Sequence, residues 1–590
     1  MLARKMLPWA LSAALALALP ADAAAQAPSA DPLTGRWVAQ KRFGPDAHGN
    51  LIIMRTGGAY SADMVGRTVP VRMDKDELVF DLPGGQGSFR GRRQGKAIVG
   101  HWYRPGTAVN SNDSASPVRL VPDGTNRWRG EVTPMQDSFT YYLLAEKRPD
   151  GSLDVVLRNP ERDFGNQIGA QRLVRDGNAL KLMGKRRREK DERVLAAGTF
   201  DAENQTFTLA FPDRGATYDF SRDTDDSEVF SRGKSPEPYV YHPPLALADG
   251  WPTATLEQVG IDRAGIEKYI QAVIDQPQTA VDDPQVHGLL IARHGKLVLE
   301  EYFHGYDRDR LHTTRSASKS VTATIVGAAM QAGAPLELSR PVYLVMNGGK
   351  FPSGLEPAKR AMTLENLLTM SSGFFCDDNN DSAPGNETTM WDQTKEPDFY
   401  RYYMAVPLDR TPGAKAVYCS GDPNLALGMV GRATGENPMD LFDRLIAGPM
   451  KISRYEWGLD PAKQPYGGGS TAFVLRDFIK FGQLMLNGGT WGGKRILSRD
   501  FVARASEPRY TLGTRKYGYL WWGEDFPYIG RTVYAFMALG AGGQTVMVFP
   551  ELDLVMASFS GSFASQGYKR AIVPAEILPA VLEDAKAGRR

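Results

Sequence analysis

Ser316 and Lys319 stand three residues apart in the stretch RSASKSVTATIVGAAM, Arg315 to Met330. Behind them Val321, Ile325, Val326 and Ala329 recur at helical spacing, which predicts a buried helix with the pair in its first turn. Residues three apart share a helix face, so this spacing brings a lysine amine beside a serine hydroxyl. A helix N-terminus also favours the negative charge of a forming alkoxide. A lysine removed from water loses proton affinity and can accept the serine proton. The chemistry on offer is a nucleophilic serine with an amine base. Ser231-Arg-Gly-Lys234 repeats the spacing, but it borders a proline-rich segment with no apolar helix behind it and is given no role.

Such a nucleophile needs a second proton carrier and a site for an oxyanion, and two later stretches supply candidates. In VYCSGDPN, Tyr418 is followed two residues on by Ser420. A phenol beside a lysine cation can shuttle protons between nucleophile and leaving group. In LGAGGQ, Gly542, Gly543 and Gln544 lead into a strand from Thr545. Glycines there let a substrate approach the backbone, where a main-chain N–H can bind an oxyanion. Singly, a tyrosine in a loop is a half-buried aromatic and a glycine run is a turn; their order gives them weight. The commonest other arrangements are excluded. There is no Gly-x-Ser-x-Gly, and all seven histidines precede Ser316, so a triad in the order Ser, acid, His cannot use this serine. No HExxH and no cysteine pair at ligand spacing occurs, so neither metal nor cofactor is expected.

The elements that must position these residues divide the chain. Residues 30–232 read as short alternating strands with Asp-Gly turns, as in Thr206–Phe211 and Ser152–Leu157, predicting an all-β barrel or sandwich domain. Residues 233–252 are rich in proline and read as a linker. From 253 to 590 the pattern is mixed α and β. A helix behind Asp262 precedes a hairpin at His294-Gly-Lys296, and a second hairpin turns at Pro550–Asp553. Two such distant hairpins would share one sheet, with helices inserted between them.

A chain of 590 residues exceeds one hydrophobic core, and 70 basic against 68 acidic residues leaves no charge excess for a nucleic-acid partner. The run from Lys185 to Arg193 mixes both signs and reads as solvated surface. Arg4 and Lys5, the apolar run Trp9 to Leu19 and small residues to Ala25 predict an export signal over residues 1–25 and a periplasmic or secreted protein. No later stretch is apolar enough to anchor the chain. Cys376 and Cys419 are the two cysteines. Paired, they would close a loop of about 43 residues and stabilise by about 3 to 4 kcal/mol; two separately buried thiols are the alternative, and both readings stand at this point.

Together, RSASKSVTATIVG, TLENLLTMSSGF, YCSGDPNLALG, FGQLMLNGGTWGGKRILS and GAGGQTVMVFPELDLV resemble the serine β-lactamase and penicillin-binding-protein-like hydrolases, in particular their class C-related branch. That branch includes esterases, D-alanyl-D-alanine carboxypeptidases and 6-aminohexanoate-dimer hydrolases. The resemblance spans roughly Gly250 to Pro579. It implies an antiparallel sheet flanked by helices, with a helical subdomain from about Pro335 to Met485. It further implies Ser316 as the acylated nucleophile, Lys319 as its base, Tyr418 as the family tyrosine, and the N–H groups of Ser316 and Gln544 as the oxyanion hole. Ser420 replaces an asparagine common in the family, as in the aminohexanoate-hydrolase-like relatives. Ala541-Gly542-Gly543 stands where β-lactamases carry Lys-Thr-Gly, so charge-assisted recognition of an anionic β-lactam is lost. The expected activity is hydrolysis of a small-molecule ester, amide or peptide through a Ser316 acyl-enzyme. The alternatives are a penicillin-binding D-alanyl-D-alanine carboxypeptidase or class C-like β-lactamase, and, in another class, a catalytically inactive ligand-binding protein.

Overall fold

In a computed structural model, the structure describes residues 31–108, 110–161, 168–185, 189–212, 216–563 and 574–583. The export signal expected over 1–25 lies outside the described residues. Alternation builds the N-terminal half. In Thr206–Phe211, Phe207, Leu209 and Phe211 point inward, and Phe207 stacks on Phe220 with ring centroids 4.7 Å apart. The strand Gly35–Gly44 pairs with Asp137–Lys147, a meander continues to Ala216–Arg222, and the circle closes where Trp37 and Val38 meet Arg222 and Ser221.

Where one β-rich unit is expected, there are two cores. Between the first two strands of that barrel, the chain inserts a second meander, from Gly49–Thr56 to Arg127–Val132. Its last strand pairs with both its first strand and Ser114–Pro122, so this sheet also closes on itself. The first core gathers around Trp37, Tyr141 and Phe220, the second around Phe80, Phe89 and Trp102. Nested closure depends on which strands pair, not on the period of any one strand, and so leaves no local mark.

The second half carries an eight-stranded antiparallel sheet. Its order is Lys296–Tyr302, Val286–Arg293, Leu554–Ser560, Gln544–Phe549, Arg531–Gly540, Trp522–Tyr528, Arg515–Tyr517, Tyr510–Leu512. The two hairpins far apart in sequence are therefore neighbours, through Val286–Arg293 beside Leu554–Ser560. The helix Arg263–Ile274 begins at Asp262, whose carboxylate accepts from Gly265 N at 3.0 Å. The helix Ser318–Gln331 is buried on nearly every side, so its hydroxyls need internal partners. Ser320 donates to Leu520 O, Thr322 to Gly467 O and Thr324 to Ser320 O. The proline-rich segment does not hang free. Trp251 Nε1 donates to Arg476 O at 3.0 Å, and Tyr241 OH to Val298 O at 2.8 Å.

The two halves are joined by backbone and by charge. Ala115 and Ser114 pair with Trp457 and Gly458, extending the second barrel's sheet into the mixed half. Beside this seam, buried Arg104 donates to Glu456 at 2.6 and 3.1 Å and to Asp137 at 3.0 Å, tying both barrels to the mixed half at one guanidinium. Removing one partner of a buried ion cluster leaves an uncompensated charge and costs about 3–5 kcal/mol. Glu456→Ala is therefore expected to lose about that much in chemical denaturation followed by tryptophan fluorescence; an unchanged midpoint would mean that the triad does not hold the halves together.

Candidate active site

Ser316 sits in the short turn Arg315–Ala317, which runs directly into the helix Ser318–Gln331. Arg315, just ahead of it, has φ 50°. A non-glycine residue in this left-handed region costs on the order of 1–3 kcal/mol, so surrounding contacts must enforce it. Those contacts include the Ser318 hydroxyl, which donates to Arg315 O. Lys319 lies one turn on, 2 % exposed, and its Nζ donates to Ser316 Oγ at 3.1 Å and to Gly468 O. Gly468 belongs to the loop Gly467-Gly468-Gly469, which sequence reasoning passed over.

The structure corrects one expectation about Lys319. Burial alone would lower the amine's proton affinity, but Tyr418, Glu387 and Asp378 around it outweigh burial and raise the pKa above the ordinary lysine value. Lys319 is therefore an ammonium in the resting site. Asp422 adds no counter-charge, because burial pushes its carboxyl up to about 8 and leaves it neutral at pH 7.

Tyr418 lines the same cleft. Its ring centroid is 5.0 Å from Lys319 Nζ, and its other side stacks on Trp522 at 5.6 Å and 27°. The loop that carries it is bolted to residues 376–378. Cys376 and Cys419 are joined in a buried disulfide. Asp378 N donates to Tyr418 O at 2.9 Å, and Asp378 Oδ2 accepts from Ser420 N at 2.8 Å and Ser420 Oγ at 2.6 Å. Ser420 is consequently fully buried behind the tyrosine, and the cavity wall does not include it.

The cavity holds about 450 Å³ and is walled by Ser316, Tyr418, Val417, Leu512, Trp522, Leu539 and the strand end at Gly540 and Ala541, with Lys415, Asp377 and Asn379 adding polarity. Gly540 explains how the strand comes so near Ser316. A Cβ there would overlap Thr314 O and press on Ala317 N, so only glycine lets the Arg531–Gly540 strand touch the turn that holds Ser316. Of the glycine-run residues, Gly543 lines the cavity, whereas Gly542, at φ 86°, faces the Phe563 ring. Gln544 points inward instead: its fully buried amide donates to Ala541 O at 3.1 Å and to Ser560 O at 2.6 Å. Ser316, Lys319, Tyr418 and Gly543 are thus brought together, while Ser420, Gly542 and the Gln544 side chain are not on the cavity.

The Beta-lactamase family model matches residues 273–575, a span that contains all of these positions. The chain belongs to the β-lactamase family. A 6-aminohexanoate-dimer hydrolase of Paenarthrobacter ureafaciens is 23% identical over 221 residues, 36% of this chain and 55% of that protein. The chain thus spans about half the length of that curated relative. Among solved structures, a penicillin-binding protein homolog from Caulobacter crescentus is 16% identical, with a TM-score of 0.41 over 54% of this chain and 95% of its own. A family VIII carboxylesterase is 17% identical, with a TM-score of 0.40 over 50% of this chain and 91% of its own. Within this β-lactamase-family site, the contact at Gly540 generates a specific expectation. Gly540→Ala should displace the strand from the nucleophile turn and lower hydrolytic turnover by about 10²-fold, the size of effect seen when one oxyanion donor is lost. Far-UV circular dichroism should stay unchanged; full turnover would show that the strand end is not part of the machinery.

Proposed function

We propose that the chain is an exported serine hydrolase that cleaves an ester or amide through an acyl-enzyme on Ser316. The observation that carries this reading is the Lys319 ammonium 3.1 Å from the Oγ of Ser316, which lines a walled cavity, with Tyr418 against the same ammonium. Family membership supports it, and the name of the amide-dimer hydrolase relative is consistent with it.

A charged lysine has no lone pair for the serine proton, so its role is to orient Ser316 and to stabilise negative charge at Tyr418. In this reading, Tyr418, held against that ammonium, is the general base. It takes the Ser316 proton as Oγ attacks the substrate carbonyl. The negative oxygen of the tetrahedral intermediate lies against the Ser316 N–H and a main-chain N–H of the neighbouring strand end. Ala541 is the better donor there than Gln544, because it lines the cavity directly after Gly540. Tyr418 then gives its proton to the leaving oxygen or nitrogen. Water attacks the acyl-serine, passing a proton to Tyr418, which returns it to Ser316 Oγ as the acid leaves. The apolar wall of Val417, Leu512, Trp522 and Leu539 favours a substrate with hydrocarbon next to the scissile bond. Neither Ala541, Gly542 nor Gly543 offers a side-chain group for a β-lactam carboxylate, which supports an esterase or amidase over a β-lactamase.

A panel of nitrophenyl esters, a cephalosporin, D-alanyl-D-alanine peptides and linear amide dimers tests the proposal. Turnover of at least one ester or amide should disappear in Ser316→Ala and fall by about 10²- to 10⁴-fold in Tyr418→Phe. Equal rates for wild type and Ser316→Ala would overturn it.

A further inference from the structure

Resting on the reading above, we propose that Asp378 is a positioning residue: through Ser420 its carboxylate fixes Tyr418 against Lys319. Asp378 Oδ2 accepts both donors of Ser420, N at 2.8 Å and Oγ at 2.6 Å, and Oδ1 accepts from Glu387 N at 3.0 Å. Its own N–H closes the loop on Tyr418 O at 2.9 Å. The segment before Asp378 and the residue between Tyr418 and Ser420 are joined by the Cys376–Cys419 disulfide. Three kinds of link therefore act within three residues of Tyr418: a covalent bond, a backbone bond and a charge-assisted pair. Ser420 is fully buried, so no bulk water replaces the carboxylate if it is lost. Hydrogen bonds to an ionised acceptor are roughly twice as strong as neutral ones, which makes the carboxylate the strongest non-covalent part of the staple.

The charge also matters to the site it faces. The groups around Asp378 are Lys319 on the nucleophile helix, Glu387 on the helix Glu387–Asp392, Tyr403 on Phe399–Ala405, Asp422 on Gly421–Thr434, and Tyr466 on the loop beyond. Burial, and then Glu387, push the Asp378 carboxyl up to about 6. The sign is therefore fixed. Above about pH 6 Asp378 is charged, holds Ser420 and adds to the negative field on Lys319; as pH falls through 6 it gains a proton and both effects weaken.

An amide at 378 keeps the shape but has one acceptor oxygen for three donors. Measured on the full chain with a nitrophenyl ester, Asp378→Asn should lower kcat by about 10²-fold, the effect of roughly 1 Å of misplacement, with KM within about twofold. The acid limb of its kcat profile near pH 6 should vanish. Ser420→Ala should lower kcat in the same direction, and Ser420→Thr, which keeps the hydroxyl, should restore most of it. A loss of thermal stability with kcat and the acid limb unmoved would reduce Asp378 to a structural residue and overturn the proposal. If Asp378→Asn does not fold, the Ser420 pair decides: equal kcat in Ser420→Ala and wild type sinks it. Ser316→Ala is run beside these variants. Retained turnover there would sink the serine-hydrolase reading itself, whereas a dead Ser316→Ala with an unaffected Asp378→Asn would sink only the positioning role.

Discussion

The site is organised by the burial of one cation. Removing an ammonium from water costs several kcal/mol even after relaxation, and Lys319 is 2 % exposed. The cost is offset by what surrounds it: the Ser316 hydroxyl, the Gly468 carbonyl, and the side chains of Tyr418, Glu387 and Asp378. Each partner comes from a different part of the chain. Fixing the lysine therefore fixes the turn before its helix, the glycine loop, the tyrosine loop and the helix at Glu387 relative to one another. Ser316 is placed as a by-product of neutralising its neighbour.

A second constraint is the close approach of sheet and helix. The Arg531–Gly540 strand reaches the turn that holds Ser316 only because Gly540 has no side chain, and Arg315 in that turn is held left-handed. These local costs are borne by a large scaffold. The Val546, Val548, Val555 and Ala557 side chains of the two inner strands are fully buried in the core that also takes the nucleophile helix, each apolar side chain of Val size contributing about 1.5–3 kcal/mol. The barrels attach to this scaffold at the Ala115–Trp457 seam and the Arg104 cluster, and none of their described residues lines the cavity.

How much of this was legible in the sequence depends on whether a feature is local. The helix behind Ser316 and Lys319 follows from the spacing of four apolar residues, and the paired hairpins from alternation and turn chemistry. The two nested barrels were not legible as two, because closure of the inner one is a pairing between Arg127–Val132 and strands at both its ends. Ser420 was expected at the cavity and lies behind Tyr418, because the carboxylate that captures it comes from Asp378, 42 residues earlier in the chain. The run Cys376-Asp-Asp-Asn-Asn-Asp381 was the available signal: three acids beside a cysteine, in a chain whose buried Lys319 needs counter-charge. The same omission explains the expectation of a neutral lysine. Desolvation is read from a buried helix, whereas the charges that oppose it, Glu387 and Asp378, are 68 and 59 residues away in sequence. Which way Gln544 turns was equally hidden, since strand register at the Gly540 to Gln544 pair decides it.

The central claim is that turnover passes through a covalent bond to Ser316, and rapid-quench intact mass spectrometry during ester hydrolysis addresses it most directly. The account predicts a transient mass gain equal to the acyl group, mapped by proteolysis to the peptide containing Ser316 and decaying as product acid forms. Hydrolysis that proceeds with no adduct at any quench time, or with the acyl group on another residue, would contradict it.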